Sequence, residues 1–410
     1  MSRPKVLYLL GNLSGGGAEY TFLEFARLSQ QFDSSVFAFS VNGELSDEFS
    51  EVHRHTDGVH RYLGASAHFI PRNLYGVYNK WRKRRWSARC AEFCCDFELD
   101  LECSALINPS MVGRLHSLIE RVRPDVVVTS MMDIGGSFAM SVALHSWDVK
   151  PKWVVWEANY PQAKFDDWGL VKTTPQQIFT SFYASADRVI ACSKGIAQWL
   201  VASGGVDREK VTTIYNGLRA SFRTNRRRTF DPAVPVFVSV GRLHRQKRHD
   251  LTIRAFKRVA KVYPNSQLYI LGEGADRQAL ERLVDDLGLC GNVRMPGHVD
   301  TVSLLLRATG FVLASDYEGY PNVLLEAMGL GVPCIATDCP TGPSEMIQTE
   351  GEGILLPLGD EMALAEAMLT FVRSPELADQ VGENARSWAR NRAIEDTARD
   401  FEEVYSEVLA

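Results

Sequence analysis

The chain has 410 residues, too long for one ordinary core at roughly 150 residues per domain, and its 45% hydrophobic and 23% charged content suits packed globular cores rather than disorder. A formal net charge of -5 argues against a dedicated nucleic-acid binder. Eight cysteines are too few for a disulfide scaffold, and Cys90, Cys94, Cys95 and Cys103 lack the spacing of a zinc site, so reduced thiols are expected.

From the N-terminus, "KVLYLL" at 5–10 reads as a buried strand, and no apolar run approaches the roughly 18 residues of a membrane helix. No separate apolar segment with a small-residue cleavage site precedes it, so a cytoplasmic protein, at most peripheral to the inner face of a membrane, is expected. A glycine loop leads into the helical pattern "EYTFLEFARLSQ" and the strand "SSVFAFSV"; later come "PDVVVTSM", "KWVVWEA" and "DRVIACS". Val- and Ile-rich strands that do not alternate, separated by amphipathic helices, predict a parallel sheet covered on both faces.

The interval from about residue 42 to 115 breaks this alternation and reads as an insertion. Within it, residues 72–89 hold seven Arg or Lys and no acid, interleaved with Tyr75, Tyr78, Trp81 and Trp86, and residues 90–103 then hold five acids and no base. A basic aromatic helix can rest on an anionic membrane surface. A solvated face, or pairing with the acidic stretch, is the competing reading.

After "TTIYNGL", the basic segment "RASFRTNRRRTFDPAVP" reads as a linker. Beyond it "VFVSVGR", "SQLYILGEG", "NVRMPGH", "GFVLAS" and "PCIATD" are five short strands, each followed by a helical pattern. The expected fold class is therefore α/β, with two Rossmann-like doubly wound domains, 1–217 and 218–385, facing across a cleft. Residues 386–410 are expected to form a helix returning to the first domain.

Ligands of such sheets bind beyond the carboxyl ends of strands, and the candidate motifs fall there. "LLGNLSGGGAEYTFLEF" places Gly11, Gly15, Gly16 and Gly17 between strand and helix. Ala18 and Glu19 stand where a P-loop needs Lys and Ser or Thr, and Tyr20 where a dinucleotide fingerprint needs glycine. The loop is either a tight packing turn or a close backbone approach to a ligand. "SVGRLHRQKRHDLTIRAF" ends a strand at Arg242 and brings Lys247 five residues later. A planar fork beside a compact charge suits a diphosphate, although a solvated basic loop with Arg245 and Arg248 is also open.

"DYEGYPNVLLEAMGLG", residues 316–331, raises the sharpest question. Pro321 fits the first position of a helix, which puts Glu318 in the loop before it and Glu326 in its second turn. Amides of Asn322 and Val323 at that helix start, with the dipole, favour an anion. Carboxylates beside phosphates are costly unless they bind something neutral, so hydroxyls of a ribose and a sugar are their natural partners. Two capping or surface acids is the plain alternative.

At this point "EGYPNVLLE" resembles the E-x7-E motif of retaining glycosyltransferases of family 4, which have the GT-B fold. The resemblance extends over nearly the whole chain, through "GGGAEY", "SADRVIACS", "VTTIYNGL", "GRLHRQKRHDLTIRAF", "LYILGEG" and "PGHVD". It implies that Glu326 binds the nucleotide ribose, Glu318 the donor sugar, and Arg242 with Lys247 the diphosphate. It implies a catalytic set of Glu318, Arg242 and Lys247, with Gly319, Tyr320, Asn322 and Val323 completing the donor turn. Gly16 and Gly17 would approach the donor phosphates from the other domain, and His298 and Val299 would lie near the base. No metal or other cofactor is implied, because Arg, Lys and a helix terminus can replace a cation.

One departure stands out: many members carry His where "VVWEANYP" aligns, and this chain has Glu157. Glu157 and Asn159 would contact acceptor or donor, or Glu157 is a buried structural acid. "CPTGPSEM" at 339–346 resembles a loop of members that extend lipid-linked or surface polysaccharides; read on its own it is a Pro and Gly turn. The resemblance implies retaining transfer of a hexose or N-acetylhexosamine from a UDP-linked donor to a hydroxyl of a growing lipid-linked glycan or surface polysaccharide such as lipopolysaccharide. A nucleotide-sugar epimerase or hydrolase on the same fold, or a non-catalytic sugar-nucleotide or membrane-binding protein, are the rival readings.

Overall fold

The structure, a computed structural model, describes residues 3–10, 17–38, 115, 118–130, 150–163, 176, 179–180, 183–226, 228–231, 233–297 and 299–410. Gly11, Gly15, Gly16, His298, the basic stretch 72–89, Cys90, Cys94, Cys95, Cys103 and the rest of the expected insertion, but for Leu115, lie outside them. The chain divides into two compact units, Met1–Tyr215 with Thr397–Ala410, and Asn216–Asp396.

The first unit carries, among the described residues, a parallel sheet of β1 (Lys5–Leu10), β2 (Asp33–Ala38), β3 (Val126–Ser130), β4 (Lys152–Glu157), β5 (Arg188–Ala191) and β6 (Val211–Thr213), ordered β2-β1-β3-β4-β5-β6. Helix α1 (Gly17–Leu28) follows β1, and α2 (Lys194–Ala202) follows β5, opened by Ser193, whose hydroxyl accepts from the Ile196 amide at 3.3 Å. Strands β3 and β4 are buried along nearly their whole length, as continuous apolar runs require of a sheet covered on both faces.

The second unit has its own parallel sheet: β7 (Val236–Val240), β8 (Gln267–Leu271), β9 (Val293–Gly297), β10 (Gly310–Leu313), β11 (Cys334–Thr337) and β12 (Ile354–Leu356), ordered β12-β11-β10-β7-β8-β9. Between and after them lie α3 (His249–Val262), α4 (Arg277–Asp286), α5 (Thr301–Leu305), α6 (Asn322–Gly329), α7 (Pro343–Met346), α8 (Glu361–Arg373), α9 (Pro375–Arg390) and α10 (Ile394–Leu409). α3 shows why these form: Leu251, Ala255, Phe256 and Val259 face inward at helical spacing, and Arg254, Lys257, Arg258 and Lys261 face water. Burying a side chain such as Phe256 contributes about 1.5–3 kcal/mol. Because the order reverses between β7 and β10, the loops leaving their carboxyl ends open a crevice at that switch point.

Two strands escape the sequence pattern, β6 and β12. Each spans three residues and none of them is fully buried, so neither presents the long apolar run that marks the others. From Thr397 on, the C-terminal helix α10 groups with the first unit, where Phe401 stacks on Phe25 at 4.6 Å between centroids and Glu402 accepts from Ser29 Oγ at 2.7 Å. Residues 386–396 differ from the expected division and stay with the second unit, since α9 is one continuous helix packed against α6.

The basic segment is also not a free linker. Arg223 pairs with Glu395, and Arg228 reaches Asp379 at 3.1 Å and the Gly331 carbonyl at 3.4 Å. Arg386 donates back to the Thr224 carbonyl at 3.1 Å. Composition marks the segment as basic, but the acids and the carbonyl that bind it lie more than a hundred residues later.

Candidate active site

The loop after β7 owes its shape to glycines in the neighbouring loop. A Cβ at Gly272, whose φ is 134°, would lie 2.2 Å from the Gly241 carbonyl oxygen, and one at Gly274 would lie 2.3 Å from that of Leu243. Only glycine permits backbones so close. Arg245–Lys247 then make one 3-10 turn, and Arg248 sits in the left-handed region at φ 47°. That conformation is uncommon for arginine, and its guanidinium is held by Asp250 at 3.2 Å and Asp316 at 3.1 Å.

Gln246 ties this loop to the one after β10. Its carbonyl accepts from the Asp316 amide at 2.9 Å, and its side-chain amide donates to the Tyr317 carbonyl at 2.8 Å. Lys247 is thereby brought to Glu318. Glu318 is 5% exposed, and its Oε1 accepts from Lys247 Nζ at 2.6 Å and from Ser315 Oγ at 2.6 Å. The Glu318 carbonyl accepts from the Thr341 hydroxyl.

Glu326 repeats the arrangement with a different cation. It is 6% exposed, and its Oε1 accepts from Arg219 Nε at 3.0 Å and Nη2 at 2.6 Å. Burial raises its carboxyl above the usual carboxylate range, and Arg219 pulls it back down. In both glutamates the second oxygen, Oε2, takes no hydrogen bond from the described residues. Each buried carboxylate is thus charge-compensated through one oxygen, with acceptor capacity left on the other.

Around them the remaining donors gather. Arg242 is exposed, donates to Gln246 Oε1 at 3.3 Å and pairs with no acid among the described residues. α6 begins one residue later than expected: Pro321 is the cap, at φ -71°, and its carbonyl accepts from Leu324 and Leu325 at 3.1 and 3.2 Å. The amide of Val323 therefore lies ahead of the helical ladder, at the positive end of the dipole. Asn216 fixes the entry to α6, donating to the Tyr320 carbonyl at 2.9 Å and to Asn322 Oδ1 at 2.8 Å. The "CPTGP" loop backs the same turn, since a Cβ on Gly342 would lie 2.7 Å from the Gly319 carbonyl oxygen.

His249 and Cys339 sit beneath these loops as buried neutral groups. Ser239 Oγ lies 3.3 Å from His249 Nδ1, and burial, helped by the Lys247 charge, lowers this imidazole to about 4. Burial and the Glu318 charge push the Cys339 thiol far up, leaving it unreactive.

Four further expected site residues are described. Val299 is exposed beyond β9, two strands from β7. In the first unit, Gly17 opens α1 and its carbonyl accepts from Thr21 Oγ1 at 2.8 Å. Glu157 ends β4 at 1% exposure and accepts from the Tyr183 hydroxyl, and Asn159 Oδ1 accepts from the Tyr160 amide at 2.9 Å. No group of three or more His, Cys, Asp or Glu is placed to hold a metal among the described residues. Nor is any helix there long and apolar enough to cross a membrane.

Residues 222–388 match the family model described as glycosyl transferases group 1, and residues 97–222 match that of glycosyltransferase family 4. The two matches meet at residue 222 and together cover every residue of the crevice described above. The chain belongs to the family 4, group 1 glycosyltransferases. It is 30% identical over 250 residues to an uncharacterized glycosyltransferase of Methanocaldococcus jannaschii, covering 58% of this chain and 61% of that one. It is 33% identical over 183 residues to the lipopolysaccharide 1,6-galactosyltransferase of Salmonella typhimurium, covering 42% and 49%. The chain thus spans about half to three fifths of the length of these two relatives. Among solved structures, Anabaena HepE in complex with UDP-glucose superimposes with a TM-score of 0.73 at 17% identity, covering 98% of this chain and 99% of that one, a likeness of GT-B fold.

In this family 4 glycosyltransferase the residues that sequence reasoning missed are Arg219, Asn216, Gln246, Ser315 and Thr341. The Asn-Gly pair in "YNGL" was a visible turn signal for Asn216. Gln246 and Ser315 carry no signal, because their work is done by neighbours across a loop.

Proposed function

We propose that the protein transfers a hexose or N-acetylhexosamine from a UDP-linked donor to a hydroxyl of a lipid-linked or surface-polysaccharide glycan, with retention at the anomeric carbon. The observation that carries this reading is the pair of buried glutamates, Glu318 and Glu326, each neutralised through Oε1 and open at Oε2, at the switch point beside Arg242. A nucleotide sugar offers ribose and sugar hydroxyls for the two Oε2 acceptors, and a diphosphate for the Arg242 guanidinium, which meets no acid among the described residues, the remaining Lys247 protons and the start of α6.

In this reading the bond from the anomeric carbon to the diphosphate breaks, and the acceptor oxygen bonds to that carbon on the same face. The acceptor proton leaves with the diphosphate. Arg242, Lys247 and the Val323 amide take up the charge that develops on the leaving group, fixed in advance of the reaction. In this reading they take the part a divalent cation would play, so turnover is expected in chelator. The named chemistry of the Salmonella relative and the UDP-glucose bound to Anabaena HepE support the substrate classes.

The test is product analysis with a panel of nucleotide sugars and lipid-linked acceptors in chelator. A glycosylated acceptor supports transfer, and free or epimerised sugar as the main product with acceptor present overturns it. The basic aromatic stretch 72–89 fits the same reading as a contact to anionic lipid. Changing Lys80, Arg82, Lys83, Arg84 and Arg85 to Gln should then lower recovery on anionic liposomes; equal recovery makes the stretch a solvated face.

A further inference from the structure

Arg219 is built into the second unit in a way its neighbours make visible. Leu218, just before it, donates its amide to the Arg392 carbonyl at 2.6 Å and accepts from the Ile394 amide at 3.2 Å. The Leu218 side chain is fully buried against α6, so close that a Cβ on Gly329 would lie 2.5 Å from it. Arg219 therefore leaves a pinned backbone, lays its guanidinium 5.0 Å from the Phe222 ring centroid, and delivers two donors to one oxygen of Glu326. Stacking and a planar fork are what an arginine provides and a lysine does not.

We propose that Arg219 is the positioning residue of the donor site: it keeps the Glu326 carboxylate ionised and held by Oε1, so that Oε2 is the acceptor offered to the nucleotide ribose. This rests on the donor-site reading above. A buried carboxyl that takes up a proton becomes a donor, and a ribose hydroxyl then loses its acceptor. Among the described residues, Arg219 is the charged group paired with Glu326. On α9, which packs against α6, Arg386 is turned to the Thr224 carbonyl and to Glu383, and Arg223 pairs with Glu395. None of these substitutes for Arg219.

The experiment is calorimetric titration with UDP of the wild-type chain and of R219Q, R219K, E326Q and R219Q/E326Q, from about pH 6 to about pH 9. R219Q is expected to bind about tenfold more weakly near neutral pH, the loss of one charge-assisted contact, and to recover toward wild type at the alkaline end as Glu326 ionises. R219K should fall between, and R219Q should add nothing once Glu326 is Gln. A merely structural role would give a loss that ignores pH and persists in the E326Q background, and either result overturns the proposal. If R219Q fails to fold, a wild-type pH profile in R219K does the same. Unchanged binding by E326Q would instead sink the donor-site reading itself.

Discussion

Both units set a glutamate at or beyond the carboxyl end of a parallel strand, and they treat it in opposite ways. Glu157, at the end of β4, is 1% exposed and accepts from the neutral hydroxyl of Tyr183, among the rings of Phe179 and Trp153. Glu318 and Glu326, beyond β10, are also buried but are held by Lys247 and Arg219. The fold is the same on both sides; the partner decides. A cation beside a buried carboxylate keeps it charged while leaving an oxygen to work.

The largest effect is expected at the residues proposed to meet the leaving group. R242A is expected to lower turnover about 100- to 1,000-fold, the cost of removing one preorganised charge donor. Its melting temperature should stay unchanged, because Arg242 is exposed and its side chain makes one 3.3 Å hydrogen bond among the described residues. A steady-state assay beside a thermal melt separates the two effects.

Acid and alkali should strike different units. His249, lowered to about 4 in the second unit, stays neutral where the unfolded chain, near 6.5, takes a proton. Stability of that unit is therefore full above pH 6.5 and falls as pH drops toward 4, by about 3 kcal/mol. Tyr183 in the first unit is raised well above 10, mainly by burial and then by Glu157. The unfolded chain loses that proton first, so the first unit weakens as pH rises above 10. Hydrogen exchange read separately on residues 152–157 and 249–262 checks the split, and H249Q should flatten the acid limb alone.

The smallest expected effect sharpens the contrast. Y183F should cost the first unit about 1 kcal/mol, one buried hydrogen bond, and leave nucleotide affinity where it was. A loss of nucleotide affinity in Y183F would favour a ligand contact for Glu157 over a structural role.

Much of this was legible in the residues. Apolar runs such as "VVVTS" and "GFVL" announced both sheets, and the spacing of Arg242, Lys247, Glu318 and Glu326 announced the crevice. Spacing reports what neighbours along a chain share; it says little about what meets from afar. That is why Arg219, met within a basic run, read as linker although it pairs with an acid 107 positions away. Likewise β6 and β12, three residues each, are strands because β5 and β11 offer them an edge, which local pattern does not reveal.

The most direct measurement of the central claim is calorimetric titration in chelator with UDP, GDP and ADP, for the wild-type chain and for E326A. The account predicts metal-free binding that favours UDP and is weakened in E326A by about 1–3 kcal/mol, as expected when a ribose hydroxyl loses a buried acceptor. Wild-type affinity in E326A would contradict it, and with it the role given to the open oxygen of Glu326.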